Sequence, residues 1–291
     1  MSFPNPVEVA IVPDFTSPID WKPILCGIDV VVHAAGLAHA DSSDDSFGVF
    51  DRVNREATLE LSRAATCAGV QRFLYISSVR AQVGPSAVGV VREQDEAHPT
   101  DPYGRSKLAA ESAVRGAGVP FTILRPVVVY GPHPKGNFKS VVQLAASSWP
   151  LPFGGFKSRR SLLGIDNLIS AIFFVLDNPA TVGETYLVAD PKPVSIRELL
   201  AMLRMARGHR PRLVNVPPKL FQIAFILINR TQLWERLGGE LVVDTTKLGS
   251  LGWRPALETY DGLRAALSIE NGEALREETG PSTQPLEKQK S

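Results

Sequence analysis

Asp29-Val-Val-Val-His-Ala-Ala-Gly36 carries the decision about the fold. Three consecutive valines leave neither alternation polar, so residues 29–34 read as a strand buried on both faces rather than one with a wet side. Residues 72–77, 120–125 and 184–189 repeat that texture. Between them, residues 47–67, 103–116 and 167–176 space their apolar side chains at helical intervals. Asp101-Pro102 supplies a cap followed by proline for the middle helix, and Gly116-Ala-Gly118 closes it. Strand and helix in alternation predict an α/β fold, a doubly wound parallel sheet of Rossmann-like type.

Beyond about residue 131 the texture changes. Prolines and glycines cluster at Gly131-Pro132, Pro150, Pro152 and Gly154-Gly155, and helical patterns dominate. The expected division is a nucleotide-binding core of residues 1–131 plus 163–190 and a smaller, mostly helical substrate lobe of residues 132–162 plus 191–270. Residues 271–291, rich in Glu, Lys, Gln and Pro, read as a disordered tail.

The chain has 291 residues, is 44% hydrophobic and 21% charged, and carries a formal net charge of +1, enough to bury a sizeable core. Lys and Arg look scattered along the sequence, which argues against nucleic acid or an anionic membrane as partner and for a small molecule. Cys26 and Cys67 have neither metal-ligand spacing nor a disulfide pattern, so no metal is expected and a reducing cytoplasm fits. The apolar run 220–228, broken by Gln222, is shorter than the ~20 residues of a membrane span.

Tyr103 and Lys107, in Tyr-Gly-Arg-Ser-Lys, stand four apart at a helix start and so project from one face. A fixed ammonium beside a phenol favours the phenolate, which makes an acid/base pair. Five tyrosines and ten lysines would give about 0.2 such pairs by chance, so the spacing needs support. Ser78 provides it. In Tyr75-Ile-Ser-Ser-Val79 it falls at the carboxyl end of a strand, the edge where parallel sheets bind ligands; alone, it could equally satisfy a backbone group.

These motifs, in this order, resemble the extended short-chain dehydrogenase/reductases of the NAD-dependent epimerase/dehydratase family. Asp29–Gly36 resembles the family's fourth strand, Asn54 its helical asparagine behind the active site, and Arg125-Pro-Val-Val-Val-Tyr-Gly-Pro132 the segment between nicotinamide and substrate. The resemblance implies Ser78, Tyr103 and Lys107 as the catalytic set. It implies Asp14, Ala34, Ala35, Gly36, Asn54, Tyr103, Lys107 and Pro126 at a bound NAD or NADP, and Ser78, Val128, Asn137, Phe138 and Arg160 at the substrate.

Lys135-Gly-Asn-Phe138, Ser158-Arg-Arg-Ser161 and Leu251-Gly-Trp-Arg-Pro255 are similar to the nucleotide-sugar branch, whose UDP-galactose 4-epimerases and bacterial polysaccharide 4-ketoreductases of the N-acetylquinovosamine type share one active-site set. An arginine fork suits a sugar diphosphate. The implied partner is a UDP-sugar, and the implied assembly a homodimer. Tyr-x-x-x-Lys alone would also suit a short-chain enzyme of other alcohols. Asp166 reads as the cap of the helix that follows it.

Two expectations concern the amino-terminal side. No Gly-x-x-Gly-x-x-Gly or Gly-x-Gly-x-x-Gly occurs, and Val7-Glu-Val-Ala-Ile-Val-Pro-Asp14 resembles the family's third strand, with Asp14 at adenine. The first βαβ unit, at least ~30 residues, is therefore expected to be missing, with a start upstream of Met1 favoured. The rival expectation is a truncated, non-catalytic relative that binds a nucleotide sugar or a protein.

Overall fold

The structure is a computed structural model and describes residues 8–38, 46–134, 136–227 and 238–278. Its centre is a four-stranded parallel sheet of β1 (Val30–His33), β2 (Arg72–Ile76), β4 (Phe121–Pro126) and β8 (Thr185–Val188), in the order β1-β2-β4-β8. These are the four runs read from sequence. Phe73, Leu74, Tyr75, Ile123, Leu124 and Leu187 are all buried, as strands covered on both faces require.

The helices lie where the periodicity places them. On one face, α2 (Ala57–Cys67) and α3 (Pro102–Gly116) close over Phe73, Tyr75 and Ile123, with Trp21 and Leu25 completing that core. On the other, α5 (Ile165–Asp177) and α8 (Thr246–Ser250) cover Leu74, Leu124 and Leu187. Asp101 caps α3 by accepting from the Gly104 amide at 2.6 Å, with Pro102 at the first helical position. α5 begins differently from expectation. Its cap is Gly164, and Asp166 stands inside the first turn, where a carboxylate still complements the helix dipole.

A third core gathers α4 (Gly136–Ala146), α6 (Ile196–Ala206) and α9 (Thr259–Glu278), with a parallel pair of β5 (Val128–Tyr130) and β7 (Leu162–Gly164) beneath them. Ser195 and Glu198 form a reciprocal capping box at the start of α6. α9 runs on through residues 271–278, where disorder was expected, because Ala, Leu, Arg and Glu sustain a helix; residues 279–291 lie outside the described residues.

The expected strand over residues 7–14 does not form: residues 8–14 are irregular, and residue 7 lies outside the described residues. In the doubly wound order 3-2-1-4, a third strand pairs with the second, not the fourth, so beside β1 it has no hydrogen-bonding partner. β1 is consequently an edge strand, paired only with β2, and Val30 and Val32 are exposed.

Candidate active site

β2 ends at Ile76, and the chain turns at once into a 3-10 turn, Val79–Ala81, capped by Ser78, whose Oγ accepts from the Arg80 amide at 3.2 Å. That turn packs on the start of α3, so Ser78 lies beside Tyr103, close enough to favour its phenolate. Gly104 permits the approach: a Cβ there would sit 2.3 Å from the Arg80 carbonyl oxygen. One helical turn on, Lys107 is buried and donates from Nζ to the Ile76 carbonyl at 2.7 Å, with Nζ 4.3 Å above the Tyr75 ring. Ser78, Tyr103 and Lys107 thus converge at the carboxyl end of β2.

The electrostatics correct one expectation. Burial pushes the Tyr103 phenol above its ordinary value of 10.0, and the Ser78 hydroxyl and the Arg80 charge only partly offset it. Lys107 spends its ammonium on Ile76 and Tyr75, so Arg80 is the cation that acts on Tyr103. Lys107 itself is pulled down to about 8 by burial, against the opposing charge of Glu111. Arg80 escaped sequence reading; its only signal was a position two residues after Ser78. Its guanidinium pairs with Asp101, and its charge adds to burial, the larger cause, in pulling Arg160 down to about 10.

Asn54 sits on a π-helical segment, Asp51–Glu56, between α1 (Ser46–Phe50) and α2, the kind of helix bulge that re-aims a side chain. It is 1% exposed. Its Oδ1 accepts from the Leu37 amide at 2.8 Å, and its Nδ2 donates to the Leu37 carbonyl and to Ser106 Oγ, each at 2.9 Å. This clamps the loop after β1 onto α3. A Cβ on Gly36 would lie 3.0 Å from Asn54 Oδ1, which is why glycine stands there. Behind them His33 Nε2 lies 2.8 Å from Thr58 Oγ1, and burial, then Lys107, holds the imidazole neutral with a pKa of about 3.

The remaining expected residues are less gathered. Ala34, Ala35 and Gly36 are exposed at the end of β1, a flat small-residue ledge open to a ligand. Pro126, buried, ends β4, and Val128, exposed, follows in β5. Phe138 stacks on Tyr130, its ring 5.8 Å away, and so serves the third core. Asn137 lies in the first turn of α4, but its side chain is outside the described residues. Arg160 directs its fork to two carbonyls, Nη1 to Gly239 at 2.8 Å and Nη2 to Pro85 at 2.6 Å.

Asp14 departs furthest from expectation. It is exposed, in a segment that forms no strand, and accepts from the Thr16 amide at 2.5 Å.

NAD fits this arrangement at one end. The exposed ledge 34–36, Asn54 behind it and the Lys107 ammonium form a place for nicotinamide and its ribose. For the pyrophosphate and adenosine, the described residues offer no glycine-rich turn opening a helix, and none of the sheet beyond β1.

Comparison with known proteins agrees with this geometry. The model of the NAD dependent epimerase/dehydratase family matches residues 11–189. The UDP-glucose 4-epimerase of Vibrio cholerae is 32% identical over 260 residues, spanning 86% of this chain and 79% of that protein. MoeE5, solved in complex with UDP-glucose and NAD, shares the fold with a TM-score of 0.71 at 23% identity, over 91% of this chain and 86% of that one. RMD from Pseudomonas aeruginosa, complexed with NADPH, gives 0.71 at 24% identity over 91% and 89%. The chain belongs to the NAD-dependent epimerase/dehydratase family, whose enzymes are of the extended short-chain dehydrogenase/reductase type.

Proposed function

We propose that the chain is a nucleotide-sugar oxidoreductase acting at C4 of a UDP-hexose or UDP-N-acetyl-deoxyhexose, as a 4-ketoreductase or 4-epimerase in polysaccharide synthesis. The observation that carries the reading is the gathering of Ser78, Tyr103 and Lys107 where the turn after a parallel strand packs on α3, with Lys107 donating to the Ile76 carbonyl at the strand's carboxyl end. A bound nicotinamide supplies the hydride chemistry. Tyr103 holds or delivers the proton at the sugar oxygen, and Ser78 orients that oxygen and shares its charge. The likeness to a UDP-glucose 4-epimerase over most of the chain supports a UDP-sugar as substrate.

Tyr103→Phe tests the reading. UDP-sugar binding should stay within a few fold of wild type while turnover, followed as nicotinamide absorbance with a 4-keto substrate and as interconversion of C4 epimers with a 4-hydroxy one, disappears. Activity retained within a few fold would exclude Tyr103 as the proton carrier. That the described residues offer no pyrophosphate cradle favours a second reading, a non-catalytic chain that binds a nucleotide sugar. On that reading the protein gains no thermal stability from NAD, yet is stabilised by a UDP-sugar.

A further inference from the structure

α4 and α6 end side by side, and their carboxyl-terminal ends border a cavity of about 310 Å³. Ser147, Ser148, Arg204, His209, Arg210 and Arg212 line it, so every lining side chain can donate a hydrogen bond and none is a carboxylate. The cations all come from one short basic stretch, residues 204–212, which the fold brings against Ser147 and Ser148.

Part of this charge is accounted for by the helices. Arg204, 1% exposed, donates from Nη1 to the Pro211 carbonyl at 2.8 Å and from Nη2 to the carbonyls of Ser147 and Trp149 at 2.7 and 2.6 Å. Arg207 donates to the Val142 carbonyl at 3.2 Å. Both arginines thereby serve free carbonyls where α4 ends and the chain runs on.

The remainder has no such explanation. Arg204 Nε, enclosed, meets no acceptor among the described residues. His209, Arg210 and Arg212 form no ion pair with any described carboxylate. Arg212 is held at a φ of 44°, a left-handed conformation that an L-residue adopts only at a cost. Burial, and after it the charge of Arg212, weakens the hold of Arg204 on its proton, so the two guanidinium groups lie in each other's field.

His209, Arg210 and Arg212 are exposed to solvent around the buried Arg204, and a phosphate seated among them would gain charge-assisted hydrogen bonds. We propose that this cavity binds a phosphate-bearing ligand, either a phosphate or diphosphate ester or the headgroup of an anionic lipid. The cavity is separate from the catalytic cleft. α4 carries Asn137 in its first turn and reaches the cavity with its last, and its 11 residues span about 16 Å. Trp149, 77% exposed, and Val214 flank the same strand-like contact, Leu151 with Leu213, so an apolar group could lie beside the phosphate. The site is independent of how the cleft is read.

Calorimetric titration of the full chain with inorganic pyrophosphate at low salt tests the proposal. The informative variant is Arg210→Ala with Arg212→Gly, because glycine takes the left-handed conformation freely and the fold keeps or gains stability. Wild type should bind, and the double variant should bind about a hundredfold more weakly with an unchanged melting temperature. Equal affinity in the two proteins, no heat with wild type, or an equal loss in Arg160→Ala would each overturn it. Flotation with phosphatidylcholine vesicles, with and without phosphatidylglycerol, then identifies the source. Phosphatidylglycerol-dependent flotation lost in the double variant assigns a lipid headgroup, and pyrophosphate binding without flotation assigns a soluble ester.

Discussion

Removing the carboxylate of Glu111 should cost more stability than any other single exchange near the site. Glu111 is fully buried on α3, one turn beyond Lys107, and receives both arms of the Arg125 fork, Nε on Oε1 at 2.8 Å and Nη2 on Oε2 at 2.7 Å. Ser77 Oγ donates to Oε1 at 2.6 Å, so the same carboxylate ties the end of β2, next to Ser78, to α3 and to β4. Burial pushes the Glu111 carboxyl up, but Arg125, Ser77 and Arg115 outweigh that and hold it below 4.5. Glu111→Gln keeps the shape and leaves a buried guanidinium uncompensated, which costs about 3–5 kcal/mol. Arg125→Met should cost a similar amount, and the two together less than their sum by roughly 2 kcal/mol or more, since neither then strands a charge.

Urea unfolding at pH 7 of the four proteins measures the cycle. The pH dependence follows from the sign of the shift. A carboxyl whose folded pKa is depressed contributes stability above its unfolded value and loses it as pH falls through the folded one. The gap between wild type and Glu111→Gln should therefore hold at pH 7 and narrow below about pH 4.5. Single variants costing under about 1 kcal/mol, or strict additivity, would refute the claim that the pair acts as one buried unit.

Two further outcomes are expected. Gly104→Ala places its Cβ 2.3 Å from a backbone oxygen, so the Arg80 turn must move off α3; stability should fall by about 1–3 kcal/mol and turnover more steeply, and a fully active, equally stable variant would remove the packing argument. Lys107 carries a cation whose folded pKa of about 8 lies below its ordinary 10.5, so its charged form is disfavoured by the fold. The unfolded chain binds the extra proton between those values, and wild-type stability should rise across that window. Lys107→Met should gain at most about 3 kcal/mol at pH 7, less what the orphaned Ile76 carbonyl costs, and the gain should shrink toward pH 10. A stability difference independent of pH would contradict it.

What could be read from sequence was whatever a short window determines. Three of the four strands announce themselves because burial on both faces removes every polar alternation, as in Phe73-Leu-Tyr75; β1, read the same way, is an edge strand with Val30 and Val32 exposed, and the Asp101-Pro102 start of α3 is complete within four residues. What failed depends on distant partners. Residues 8–14 carry a strand-like pattern, but a strand exists only where a neighbour accepts its hydrogen bonds. Arg80 acquires its place between Tyr103 and Arg160 through a 3-10 turn that no spacing rule forecasts. Arg204 and Arg212 meet Ser147 across more than fifty residues of chain.

The two halves of the site differ in what holds them. Asn54 is fixed by Leu37 and Ser106, Lys107 by Ile76, Ser78 by its own turn, and Ser77 by the Glu111–Arg125 pair, all contacts among the π-helical segment, β2 and the turn after it, α3, β4 and the loop after β1. None of them leans on the exposed edge of β1. The catalytic geometry is therefore preorganised without any strand on that edge, whereas a pyrophosphate bound beyond β1 would find only unpaired backbone among the described residues. Nucleotide-sugar binding and dinucleotide binding should accordingly be separable in this chain, the first set by side chains already in place and the second by whatever comes to pair with β1.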